Sequence, residues 1–360
     1  MEVVIRLVSF VVGLLIVLLT LRSAVRTFIL PRSAVDQISR AVFLFMRRIY
    51  NLFTARATTY LARDRTMAFY APVSLLVLLA VWMALILLGY GGIYRALGIE
   101  SIEEALTLSG SSLLTLGIAQ PHAPEVTLAV FTEATIGLIM VALLIAYLPT
   151  MYAAFSKRET AVTMLEVRAG SPPSAIEMIL RYNRIHGMTR LYDMWSTWEV
   201  WFAEVEESHT SLAALPFFRS PRAENSWITA AGCVLDAAAL VLSSVEAQYE
   251  PQAALCLRAG YLALRHIADN FRISYNPTPA PEDPIGITRF EFDAACEQLR
   301  AGGVPLKTDS EQAWKDFIGW RVNYDTVLLA LASLTLAPYA LWSSDRSLVD
   351  LRKSGKGRHK

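Results

Sequence analysis

Long apolar runs alternate along the chain with segments dense in arginine. From Val3 to Leu21 it reads VVIRLVSFVVGLLIVLLTL, broken only by Arg6, and as a helix rising 1.5 Å per residue this is about long enough to cross a bilayer. Met67 to Tyr90, MAFYAPVSLLVLLAVWMALILLGY, carries no charge at all, and Val126 to Phe155 contains a single carboxylate, Glu133. The pattern therefore predicts three membrane-crossing helices. A shorter run, Val327 to Trp342, spans 16 residues and contains Pro338. It is too short for a span and predicts a buried helix instead.

Between the second and third spans lies a stretch too long for a tight turn and too apolar for a free loop. Ser101 followed by Glu104 has the spacing of a capping box, and IEEALTLSGSSLL continues as a helix of 13 residues. Such a helix is about 20 Å long, whereas the hydrocarbon core is about 30 Å thick. It either lies on the outer surface or dips into the bilayer and returns. In the second case the returning backbone must be buried in protein or line an aqueous cavity, which implies a pore or a binding site.

Charge sets the expected orientation. Nine arginines fall between Arg22 and Arg65, against Asp36 and Asp64 alone, so this segment is expected on the cytoplasmic side. Arg95 stands against Glu100, Glu103, Glu104 and Glu125 between the second and third spans, and the third run exits into Lys157 and Arg158. The amino terminus is then expected outside and everything after about residue 156 inside. A cleaved leader fits poorly, because the positive charges follow the first apolar run instead of preceding it. The chain is 54% hydrophobic and 18% charged, with a mean hydropathy of +0.39. That balance points to a multi-pass protein of the plasma membrane, and a net charge of +1 gives no field for nucleic acid.

A helix, a half-helix ending in S-S-L-L-T-L-G and a second helix opening into FTEATIGLIMVALLIAYLP resemble the pore module of the tetrameric potassium-channel superfamily. The family loop reads T-V-G-Y-G-D, and four copies line one axis with backbone carbonyls that replace the hydration shell of the ion. The resemblance implies a homotetramer in the lipid bilayer passing a monovalent cation, potassium in the family, with no other cofactor and no enzymatic activity. It implies a filter at Thr115, Leu116, Gly117, Ile118 and Ala119, a bending glycine at Gly137, and a second bend at Pro149, which removes a backbone donor. Glu133 is expected either as a buried strut behind the filter, bonded to Thr107, Ser109, Ser111 or Ser112, or snorkelling to the outer interface. Glu125 is read as a solvated carboxylate near the outer mouth.

The outer half of this loop departs from the family. Ile118 replaces the aromatic, Ala119 the second glycine and Gln120 the aspartate. A residue with a Cβ resists the left-handed backbone by about 1–2 kcal/mol. Two readings follow: a weakly selective cation pore that keeps only the sites at Thr115 to Gly117, or a channel-like sensor or assembly scaffold that does not conduct.

After residue 158 helical periodicity dominates and no strand alternation of useful length occurs. The expected protein is thus an all-α membrane protein. Residues 1–30 form an amino-terminal membrane helix and 31–66 a basic cytoplasmic linker. Residues 67–158 form the pore module, with an outer helix 67–92, pore helix 102–114, filter loop 115–120 and inner helix 126–156. A cytoplasmic helical domain follows at 159–275, then a helical region with a basic tail at 276–360. Gly170, Pro172 and Pro173 mark the exit from the inner helix. No dinucleotide fingerprint, P-loop, HExxH or GxSxG is present. Glu199, Glu206, Glu207 and His209, with His266 and Asp269, lack the paired Glu-x-x-His spacing of a carboxylate–histidine metal bundle, so no metal is expected. A membrane enzyme built on them requires that they converge. Trp195, Trp198 and Trp201, together with the isolated Cys233, Cys256 and Cys296, are assigned to the core.

Overall fold

The computed structural model describes residues 2–28, 30, 36–55, 57, 59–121, 123–246 and 251–346. The described residues are mostly helical, with one isolated β-bridge between Val245 and Leu306 and no strand among them. The expected basic tail, and Arg32 and Arg56 of the expected linker, lie outside them. The chain divides into two compact units, one drawn from residues 1–58, 66–153 and 211–215, the other from 59–65, 154–210 and 216–360.

The first unit holds α1 (Glu2–Phe28), α2 (Gln37–Thr54), α4 (Tyr70–Ala96), α5 (Ile102–Leu113) and the first part of α6 (Pro124–Ala169). Helices α1, α4 with the short helix before it, and α6 are each long and apolar enough to cross a membrane. The large apolar side chains of α1, among them Val3, Leu7, Val11 and Leu15, point outward and are exposed. That is stable in lipid and costly in water. Its other face packs tightly on α4. A Cβ on Gly13 would collide with the carbonyl oxygen of Gly89, so small residues set the approach of the two backbones. Phe28, Trp82 and Tyr147 bring α1, α4 and α6 together, with ring centroids 5.2 Å and 4.7 Å apart.

The second unit contains α3 (Tyr60–Met67), the remainder of α6, α7 (Ala175–Arg184), α8 (Leu191–Ser211), α9 (Trp227–Ser244), α10 (Pro251–Asn270), α11 (Arg289–Ala301), α12 (Ser310–Arg321) and α13 (Asp325–Thr335). Helix α9 is a fourth element long and apolar enough for a membrane, yet nearly all of it is buried. A helix apolar on every side is a core helix when neighbours surround it, and α7, α10, α12 and α13 pack on this one. Its Asp236 meets Arg321, which is wholly buried. That guanidinium also binds Asp325 at 2.7 Å and the Trp342 carbonyl at 2.6 Å. Trp195, Trp198 and Trp201 are buried in the same hydrophobic core, Cys233 and Cys256 are buried, and Cys296 is partly so.

Several boundaries differ from the sequence reading. The segment read as a basic linker contains α2 and α3, because Ile38, Val42, Phe45, Met46 and Ile49 recur at helical spacing between the arginines and Asp36 caps the start, accepting from Ile38 N at 3.0 Å. The inner helix runs past residue 156 to Ala169, where Gly170 takes a φ of +80° and ends it. No domain boundary falls at 275/276, since α9 packs on helices from both sides of it. Only part of the 327–342 run is helical. Helix α13 stops at Thr335, Leu336 is left-handed with φ +53°, and Trp342 returns to the core as a turn residue.

Candidate functional site

The half-helix α5 is positioned from both ends. At its start Ser101 Oγ accepts from Glu104 N at 3.4 Å, and Glu103 and Glu104 lie where the helix dipole favours acid. Ser109, Ser111 and Ser112 line its buried side. Past its last residue the chain turns in a Schellman arrangement: Thr115 N donates to Ser112 O at 3.0 Å and Leu116 N to Ser111 O at 2.8 Å. Thr115 has a φ of +54° and Gly117 one of +69°. Ala119 N then donates to Ser111 Oγ at 3.1 Å, folding the loop back on its own helix. The backbone strain expected at Ala119 is absent, for that residue keeps a negative φ; the left-handed non-glycine residue is Thr115. Leu114, Leu116 and Ile118 are each more than half exposed.

On α6, against α5, sits Glu133, fully buried. One carboxylate oxygen accepts from Ser109 Oγ at 2.5 Å and the other from Tyr94 Oη at 2.7 Å. Ser109 Oγ also lies 3.0 Å from the Leu87 carbonyl, so one carboxylate joins α4, α5 and α6. Beside it Tyr90 Oη donates to Thr132 Oγ1 at 3.0 Å. Of the partners the sequence offered, Thr107, Ser109, Ser111 or Ser112, the structure shows Ser109, and Tyr94 was missed. Its signal was weak: a tyrosine near the end of an apolar helix reads equally well as an interface aromatic.

Gly137 lies where α6 meets the end of α5. A Cβ there would strike the Leu113 carbonyl, so the glycine permits a backbone approach. Pro149 is embedded in α6, which continues beyond it for twenty residues to Ala169. Glu125 is exposed in the first turn of the same helix.

The carboxylates and histidines of the second unit do not converge. Glu206 binds His266 at 2.7 Å, Asp269 accepts from Tyr275 at 3.2 Å and Glu199 accepts from Gln252. His209 is buried apart from them, 3.3 Å from Arg158 Nη1 and 3.2 Å from Ser208 Oγ, with its ring against Trp227. Burial, then the Arg158 guanidinium, holds its pKa well below the usual imidazole value. Among the described residues, no group of three or more His, Cys, Asp or Glu is placed to hold a metal ion.

A second polar centre of this unit was not anticipated. Arg219 Nη1 binds Asp64 at 2.5 Å and Tyr60 Oη at 3.1 Å, while Nη2 reaches the carbonyls of Thr335 and Leu336 at 3.0 and 3.1 Å. It clamps α3 to the end of α13. Arg219 and Asp64 are 155 residues apart, and no local pattern reports such a pairing.

These features define an all-α protein with helices suited to crossing a membrane and a polar centre buried between two of them and the half-helix α5. No family model matches the sequence, and no curated protein or solved structure matches it either.

Proposed function

We propose that the chain is the subunit of a homotetrameric cation channel resembling potassium channels, set in the plasma membrane with its amino terminus outside and its second unit in the cytoplasm. The observation that carries this reading is the half-helix α5. Its 12 residues are too few to cross a bilayer, and it is pinned from behind by Glu133 through Ser109. At its carboxyl end it releases a loop exposed from Thr115 to Ile118, with Ala119 half-buried. The negative end of the helix dipole favours a cation beyond it. One chain supplies one such loop, so an ion path on a shared axis calls for further copies. Exposed apolar residues of α6, such as Leu128, Phe131, Leu138 and Ile145, offer a surface for them or for lipid.

Within this reading, Thr115 to Gly117 form the ion-contacting part and Glu133 the support, with Gly137 and Pro149 as points of bending. Weak selectivity is expected, because the left-handed residues of the loop stop at Gly117 and the outer half lacks the second glycine. The same observation favours the alternative, a channel-like sensor or assembly scaffold without conduction. Reconstitution of the purified protein in planar bilayers under opposed potassium and sodium gradients separates the two. A cation current that disappears on Gly117→Pro, in protein that still assembles, supports the channel. Silence across voltage, pH and lipid composition supports the scaffold.

A further inference from the structure

The second unit buries an imidazole that the channel reading leaves unused. His209 lies in the last turn of α8 and is wholly buried, with its ring centroid 4.6 Å from that of Trp227. Arg158 of α6, also buried, brings Nη1 to 3.3 Å from Nε2 of that ring. The hydrogen bonds fix the tautomer. Ser208 gives its single hydroxyl proton to the Glu204 carbonyl at 2.7 Å, so its oxygen faces Nδ1, at 3.2 Å, as an acceptor. The ring proton is therefore on Nδ1, and Nε2 accepts from the guanidinium.

A second proton, on Nε2, removes that acceptor. It points an N–H at Arg158 and sets two buried positive charges 3.3 Å apart, where the low dielectric enlarges their repulsion. A backbone bond to Val205 favours the imidazolium, but burial and the Arg158 guanidinium oppose it and outweigh that bond. Arg158 is the charged group that acts on the ring, and Glu159 is paired with it. From the other elements come the Trp227 ring of α9 and the Phe218 carbonyl, which accepts from Arg158 Nη2 at 2.7 Å. The cluster also holds a second place for the guanidinium. Its Nε and Nη2 both fall on Oε1 of Glu159, at 2.8 and 2.7 Å, while Oε2 is buried and, among the described residues, accepts from no donor. On leaving His209 the guanidinium can take both oxygens in the bidentate geometry that suits it.

We infer that the Arg158–His209 contact is a proton-sensitive latch between α6 and the end of α8, opened by a proton on Nε2. The second unit is then a pH sensor, whether or not the chain conducts. Helix α6 is unbroken from Pro124 to Ala169. Opening the latch thus loosens the far end of the helix that carries Gly137 and Pro149.

The test is amide exchange of the full chain in detergent across pH, with rates corrected for the intrinsic pH dependence of exchange. An open state whose imidazole titrates at the ordinary value of 6.5 gains population by up to about tenfold per pH unit below it. Between about pH 7.5 and about pH 5, exchange around Arg158 and His209 should therefore rise about thirtyfold, while α11 keeps its protection. His209→Gln, whose amide oxygen can still accept from Arg158 and gains no proton, should stay flat over that range. Wild-type exchange that ignores pH overturns the inference, even where the variant does not fold. A wild-type rise that His209→Gln retains overturns it as well, as does a rise shared equally by α11, which reports global unfolding.

Discussion

Asp64 and Arg219 form an ion pair at 2.5 Å with both side chains nearly nine-tenths buried. Through it the residues immediately preceding α4 are held to the helical core, and the same guanidinium caps the carboxyl end of α13. Removing one partner of a buried pair leaves the other charge uncompensated and costs about 3–5 kcal/mol. Arg219→Gln should therefore lower the stability of the second unit by that order and expose residues 59–65 to amide exchange. Asp64→Asn, which keeps an acceptor, should cost less. Wild-type unfolding of Arg219→Gln would show the clamp to be incidental.

The carboxylate of Glu133 answers two donors. Replacing it with leucine leaves Ser109 and Tyr94 without that acceptor, a loss of about 1–3 kcal/mol, and Glu133→Gln retains one carbonyl oxygen for the pair. Thermal unfolding in detergent should rank wild type above Glu133→Gln above Glu133→Leu. If the channel reading holds, current should fall in the same order.

Gly137→Ala distinguishes packing from bending. A methyl group facing the Leu113 carbonyl must displace α5 or α6, an overpacking cost of about 1–3 kcal/mol. Reduced thermal stability, and reduced protection of α5 amides, is expected. A glycine used only as a hinge would change gating and leave both measurements as they are.

Acid should destabilise the second unit in two stages. His209 stays neutral in the fold below its usual value of 6.5, while the unfolded chain takes up a proton there. The unfolded state then binds more protons, so stability is lost as pH falls below about 6.5. Glu291, held down to about 2 chiefly by Arg346, adds a second loss as pH falls from 4.5 toward 2. His209→Gln should remove the first stage and keep the second, as read from denaturant midpoints across that range.

The apolar spans, the capped half-helix and the all-α character are legible in sequence because each follows from a period or a cap that local residues carry. Glu133 was legible as an anomaly, since a lone carboxylate in an apolar run requires a partner. Its tie to Tyr94 was not, nor was that of Arg219 to Asp64, because the partners are 39 and 155 residues apart in the chain. Helix α2 was obscured for another reason. Its arginines dominate a charge count, although its apolar positions recur at helical spacing. Helix α9 shows the converse limit, since hydropathy alone does not separate a core helix from a span.

Thr115 stands in a conformation that a β-branched residue seldom adopts. A glycine would close the same helix end at about 1–2 kcal/mol less, so folding alone gives no reason for threonine there. What threonine adds over glycine is a hydroxyl and a methyl group. Thr115→Gly isolates them: a variant that melts higher yet loses its current would assign the side chain to the ion, and one that melts higher and works as before would leave the backbone turn as the whole of its role.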